Sequence, residues 1–292
     1  MPEQQWLAER FEENRSHLRA VAYRMLGSLA EADDAVQESW MRLSRTGADG
    51  IGNLGGWLTT VVAHVCLDML RSRASRREES LGAQLPEPPA RGDEANPEQE
   101  ALLADSVGLA VLVVLDRLAP AERLAFVLHD MFAVPFDEIA PIVGRSVDAA
   151  RQLASRARRR VRGAEVLPDA GLAEQRQVVG SFLAAVRAGD FDAMVAVLDP
   201  EVVVRIDQAA MAPGGPAEFR GAQNWARQAL AYAKGARFVE LALVNGNVGA
   251  LLAPRGRLAR ALLCTVENGK IVRIELVADP ERLRQLDLAV LH

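Results

Sequence analysis

Two all-α domains followed by an α+β domain is the fold class this 292-residue sequence predicts, and three observations carry it. Apolar residues recur at helical spacing from residue 6 to 73 and again from 106 to 162. A stretch rich in proline and acids separates the two runs. After Pro168 the pattern changes to helices followed by strand-like runs that turn at Asn-Gly pairs.

Residues 6–45 read as helical, through HLRAVAYRML and again through DDAVQESWMRL, with a break near Gly27-Ser28. TGADGIGNLGG is a loop. From Gly56 to Arg73, Trp57, Leu58, Val61, Val65, Leu67 and Leu70 give a third helix with an apolar face. These helices form a first domain over residues 1–80. Residues 81–105 hold four prolines and many acids, cannot bury a core, and read as a linker. The second domain spans 106–165. It begins with one or two helices over 106–131, Pro120 standing at the first turn of the second. FDEIAPIV, the breaker Gly144 and a helix from Val147 follow, which is helix-turn-helix spacing. At about 100° per residue, Val147, Ala150, Ala154, Ala157 and Val161 share one arc, with Gln152, Ser155, Arg156 and Arg159 opposite. Ser146 is placed to cap this helix and Asp148 to complement its dipole. Over 168–292, helices through Glu174–Ala188 and Asp190–Leu198 precede the strand EVVVRID, a helix near Ala222–Tyr232 and three strand-like runs. Asn245-Gly246 and Asn268-Gly269 are hairpin turns, so an α+β domain is expected.

Of the 34 basic residues only Lys234 and Lys270 are lysine. Residues 71–77 carry four arginines and no acid, and residues 145–162 carry seven arginines against Asp148 alone. Between them, residues 78–105 hold eight acids against Arg91. The net charge of −5 therefore conceals two basic stripes joined by an acidic tether, and it is the local distribution that decides whether phosphate can be bound. No apolar run approaches the roughly 18 residues of a membrane helix, so a cytoplasmic protein without membrane contact is expected. Cys66 and Cys264 stand alone, without the spacing of a zinc site or a disulfide framework, and read as reduced packing residues. Neither a metal nor a cofactor is expected.

EADDAVQESWMRL, GGWLTTVVAHVCLDMLRSRASRRE and LDRLAPAERLAFVLHDMFAVPFDEIAPIVGRSVDAARQLASRARRRV together resemble regions 2 and 4 of bacterial sigma factors of the extracytoplasmic-function (ECF) group, over roughly residues 10–163. The C-terminal third is similar to SnoaL-like domains of the cone-shaped NTF2 superfold, which a subgroup of these sigma factors carries. QLPEP at 84–88 is similar to the subgroup's linker motif WLPEP, and ADPERL at 278–283 to its NPDKL motif. In place of the glycine-rich DGGGK signature stands Pro213-Gly214-Gly215-Pro216, without the lysine.

The resemblance implies an alternative sigma factor that binds core RNA polymerase and directs it to minus-thirty-five and minus-ten promoter elements. Gln152, Ser155, Arg156 and Arg159 are then the base-reading candidates, since arginine pairs bidentately with guanine and glutamine with adenine. Arg151, Arg158, Arg160 and Arg162 complete the DNA-binding set, the last three as phosphate contacts. Capture of the opened minus-ten strand falls to Asn53, Trp57, His64, Arg71, Arg73, Arg76 and Arg77. For Trp57 and His64 a packed position is the alternative. Asp33, Asp34, Gln37, Glu38 and Arg42 would dock on the clamp helices of the polymerase β′ subunit, with the β subunit a further partner, and the acidic linker would thread the polymerase's basic cleft.

SnoaL-like proteins include enzymes with a pocket carboxylate, which makes Asp207 a candidate acid or base. The domain's one histidine is His292, and no catalytic constellation can be read, so a regulatory rather than enzymatic domain is expected, with a small-molecule ligand as an open possibility. Leu85, Pro86, Glu87 and Pro88 are expected to lie against Asp279, Pro280, Glu281, Arg282 and Leu283, fixing the two DNA-binding domains relative to each other. The rival readings are a regulator that binds DNA without polymerase and a fusion with a small-molecule-binding or cyclase-like enzyme.

Overall fold

The computed structural model describes residues 2–48, 50–80, 108–163, 170–211, 217–231 and 233–291, and its contacts divide the chain into two bodies. The acidic linker with Leu85–Pro88, and the stretch Pro213–Pro216, lie outside the described residues.

In the first body, helices α1 (Pro2–Leu26), α2 (Leu29–Thr46) and α3 (Leu54–Ser80) pack pairwise around Leu18, Val21, Leu43, Leu58 and Val62. The break between α1 and α2 falls where the sequence places it. Gly27, at φ 71, donates its N–H to the Tyr23 carbonyl at 2.8 Å, and Ser28 is the N-cap of α2. Helix α3 runs on to Ser80, past the Arg73 end that the apolar pattern marks, because its arginine, alanine and glutamate residues are strong helix formers. Against these helices pack α5 (Pro120–Phe126), the π-helical turn Val127–Met131 and α6 (Phe136–Val143), followed by α7 (Val147–Arg162), which belongs to this body as far as Arg158. Pro120 occupies the first turn of α5, and Gly144, in the left-handed region at φ 67, closes α6.

The second body holds α8 (Ala170–Ala188), α9 (Phe191–Val197), α10 (Ala222–Leu230) and α11 (Pro280–Gln285) with a seven-stranded sheet. Its strands are β1 (Leu198–Ile206), β2 (Glu218–Arg220), β3 (Val239–Val244), β4 (Asn247–Leu252), β5 (Arg260–Glu267), β6 (Lys270–Val277) and β7 (Leu288–Val290), in the order β2-β1-β6-β5-β4-β3-β7. Strands β3 to β6 form a meander of four strands where three strand-like runs were expected, and β1 lies parallel beside β6. Asn245-Gly246 and Asn268-Gly269 turn with φ of 51 and 81, and of 51 and 72, the double positive φ of a type I′ hairpin. Helix α8 packs across β3 to β6 and buries Val179, Phe182 and Leu183 in a core shared with Trp225, Ile271 and Ile274. This is the α+β architecture the sequence predicts. The same body takes in residues 108–114, most of helix α4 (Leu109–Asp116), and the end of α7 from Arg159.

Candidate nucleic-acid and polymerase interface

Helix α7 is oriented by what it buries. Ala150, Ala154 and Ala157 are fully buried and Val161 nearly so, while Gln152, Ser155, Arg156 and Arg159 are exposed on the opposite arc. Ser146 Oγ accepts the Ala149 N–H at 3.2 Å, which caps the helix as expected. Arg151 is exposed and paired with Asp148 at 2.7 Å, and Arg160 and Arg162 are exposed in the last turn. Arg158 differs from the other two phosphate candidates: it is half-buried, and its Nε donates to Asp130 of the π-helical turn, which makes it a strut for α7.

The candidates for strand capture run along α3, from Asn53 just before its start to Arg77 near its end. Asn53 Oδ1 accepts the Gly56 N–H at 3.0 Å, so this side chain caps α3. Trp57 is half-exposed, as is His64, whose Nδ1 lies 3.0 Å from the Thr60 carbonyl. Arg71 is exposed and stands 4.0 Å from Asp68. Arg73 turns inward instead, pairing with Glu31 and donating to the Leu26 carbonyl at 3.3 Å, so it ties α3 to α2 and to the end of α1. Arg76 and Arg77 lie on α3, but their side chains are outside the described residues.

Next to this helix start, Asn14, His17, Gly55 and Thr60 face Phe132 and Glu138 across a cleft of about 350 Å³. His17 meets the edge of Phe132 at 5.3 Å and lies 3.3 Å from Thr59 Oγ1, and burial, helped by Arg24, holds its imidazole below the ordinary histidine value. In the same body Arg123 is 2% exposed. Its Nε and Nη2 donate to the Arg24 carbonyl at 3.2 and 3.1 Å, and Nη1 to Asp116 at 3.4 Å. Sequence reasoning missed Arg123, because AERLAF carries no sign that its arginine is buried.

On α2, Asp34 and Gln37 are exposed and Glu38 is half-buried with Arg42 at 2.9 Å. Asp33, on the neighbouring edge, holds Arg19 in a two-pronged pair at 2.7 and 2.9 Å. The structure adds Met41, an exposed apolar side chain at 39%, which shares a helix face with Asp34, Gln37 and Glu38. An exposed methionine was legible from the helical spacing of these four positions.

In the second body Asp207 is engaged internally. One carboxylate oxygen accepts the N–H groups of Asp279 at 3.0 Å and Ala278 at 3.4 Å and meets Arg282 at 3.4 Å. Burial alone would raise its pKa, but those three partners together with the Ala209 N–H outweigh it and hold the carboxyl below its ordinary value. Asp279 caps α11 by accepting the N–H groups of Glu281 and Arg282, Pro280 fills the first position, and Leu283 is buried. Arg282 also pairs with Glu275. The ADPERL motif is thus a helix start that follows β6 in its own body, and Arg282, expected among the residues that meet Leu85–Pro88, already has two carboxylate partners there.

Residues 10–76 match the family model of Sigma-70 region 2, and residues 108–161 match that of Sigma-70, region 4. Over 291 residues, 93% of this chain and 91% of the relative, the sequence is 41% identical to the ECF RNA polymerase sigma factor SigJ of Mycobacterium tuberculosis. The chain belongs to the ECF sigma factors. The ECF sigma factor is also 34% identical over 280 residues to the probable ECF RNA polymerase sigma factor SigI of the same species, covering 94% of this chain and 93% of that one. The crystal structure of Mycobacterium tuberculosis SigJ aligns at 36% identity over 94% of this chain and 98% of that chain, with a TM-score of 0.44. In this ECF sigma factor α1 to α3 carry region 2, α4 to α7 carry region 4, and the C-terminal part forms the α+β domain.

Proposed function

We propose that this ECF sigma factor acts in the cytoplasm and engages core RNA polymerase through the α2 face formed by Asp34, Gln37, Glu38 and Met41, on the β′ clamp. The exposed arc of α7 reads the minus-thirty-five element, with Gln152, Ser155, Arg156 and Arg159 on base edges and Arg151, Arg160 and Arg162 on phosphates. The first turn of α3 with Trp57, together with Arg71, Arg76 and Arg77, serves the opened minus-ten strand, while Asn53 and Arg73 hold α3 in place. The observation that carries the reading is the division of α7 into a buried alanine arc and an exposed glutamine, serine and arginine arc within a region 4 sequence. The C-terminal domain modulates promoter use and does no chemistry, a reading supported by the internal use of the Asp207 carboxylate.

Initiation in vitro with purified core polymerase on genomic promoter fragments tests this. The full chain is expected to co-elute with core polymerase and to start transcription at discrete sites. A chain that bound the same DNA fragments without polymerase and never co-eluted with it would establish the polymerase-independent regulator instead.

A further inference from the structure

We infer that the β3–β7 edge of the C-terminal sheet is a clamp that holds region 4 by both of its ends, with Glu240 as the positioning residue. The first anchor lies at the start of α4. Glu240, on β3, accepts the Ala110 N–H on its Oε2 at 2.8 Å. That amide belongs to the first helical turn, whose N–H groups have no partner within the helix, and a carboxylate placed there also meets the positive end of the helix dipole. Gly108, at φ +79, takes the left-handed conformation that favours glycine and stands beside the carboxylate, its Cβ position 3.4 Å from Glu240 Oε1, an ordinary contact distance.

The second anchor lies just past the end of α7. Gly163, at φ +78, sits so close to β7 that a Cβ on it would fall 2.9 Å from the Cβ of Ala289. Ala289 pairs directly with Leu243 of β3. Both ends of region 4 therefore rest on one strand pair. Gln152, Ser155 and Arg156, which belong to the other body, are exposed. A contact that fixes where region 4 begins and ends is a brace for recognition.

The inference rests on the reading of region 4 as the minus-thirty-five recogniser, and the experiment separates the two. Full-length wild type, Glu240→Ala, Glu240→Gln and Glu240→Lys are compared for core polymerase binding and for initiation on two templates, one with a minus-thirty-five element and one lacking it with a pre-melted minus-ten. Amide hydrogen exchange is followed at residues 109–113. Glutamine keeps the accepting oxygen, so Glu240→Gln is expected within about twofold of wild type, whereas Glu240→Ala loses about three- to tenfold on the first template and exchanges faster by a similar factor. Glu240→Lys, which sets a cation against the helix start, loses more. All four proteins are expected to bind core polymerase alike and to match on the pre-melted template. Wild-type exchange and initiation by Glu240→Ala would overturn the clamp, as would an equal loss on both templates. Failure of every protein, wild type included, to initiate would instead overturn the sigma-factor reading, and the exchange comparison would still decide the clamp.

Discussion

Arg123 concentrates several forces on one side chain. Burial pushes its pKa down, the Asp116 carboxylate opposes this, and the guanidinium, starting from so high a value, stays charged. Its fork satisfies the Arg24 carbonyl at the end of α1, where a helix leaves acceptors without partners and favours a cation. Arg123→Met is expected to cost about 2–4 kcal/mol in urea unfolding, and Arg123→Lys to rescue little of it, because an ammonium cannot reach two acceptors with the same planar fork. Wild-type stability in the lysine variant would contradict this account. The arginines of α7 behave differently because they face solvent. Arg156→Ala or Gln152→Ala is expected to relax discrimination at one or two base pairs by about 1–3 kcal/mol, and Arg160→Ala to weaken binding to every sequence alike, as titrations on specific and scrambled minus-thirty-five duplexes would show. The exposed set was legible in the sequence because helical period alone separates the two arcs. Arg123 and Arg158 were not, since their partners, the Arg24 carbonyl and Asp130, come from other elements.

Elements with a long apolar period were the legible ones. Helices α1, α2 and α7 and the two Asn-Gly hairpins stand where the pattern puts them, whereas β2 and β7, three residues each, exist only through their pairing with β1 and β3 and leave no trace in the local sequence. The parallel contact of β1 with β6 is likewise a matter of distant pairing. For α2, reversing charge at Asp34 and Glu38 together is expected to abolish co-elution with core polymerase while leaving the melting temperature within a few degrees, since the Glu38–Arg42 pair is a partly exposed helix pair worth about 0.3–0.5 kcal/mol. Co-elution unchanged from wild type would reject the docking face. For α11, the Asp207 carboxylate joins the end of β1 to the helix start. Its folded pKa lies below its unfolded value of about 3.9, so the unfolded chain binds the proton first. The stabilisation is whole above that value and disappears as pH falls through the lower folded one. Asp207→Asn is therefore expected to lower the melting temperature at neutral pH and to flatten its decline below about pH 4, and an unchanged acid profile would show that the carboxylate carries no such linkage.

At the scale of the whole molecule the chain does not divide where its segments do. Region 4 is one sequence module, yet residues 115–158 belong to the body of region 2, and residues 108–114 together with those from Arg159 belong to the body of the C-terminal α+β domain. Composition and periodicity assign stretches of chain to helices and sheets, but they carry no information on which stretches will touch, and here the decisive contacts span 99 residues between Arg24 and Arg123 and 130 between Ala110 and Glu240. The same fact qualifies a truncation near residue 278 as a probe of ADPERL. It would also remove β7, the partner of β3, and so take away the strand that Gly163 rests on.

The two glycines at the ends of region 4 give it the character of a cassette. Gly108 and Gly163 sit beside Glu240 and Leu243 of a single strand, positions roughly 10 Å apart along it, and a module whose ends lie close together can be lifted out and replaced without stretching its host. Exchanging residues 109–162 for the region 4 of another ECF sigma factor, with an arginine kept at the place of Arg123, should carry the donor's minus-thirty-five preference into this chain, as selection from a randomised promoter library would read out. The same exchange with alanine at position 163 should fold poorly, because the graft would meet Ala289 with a side chain where only a hydrogen fits. Promoter choice in this architecture is thus an exchangeable part, bounded by two residues that have no side chain at all.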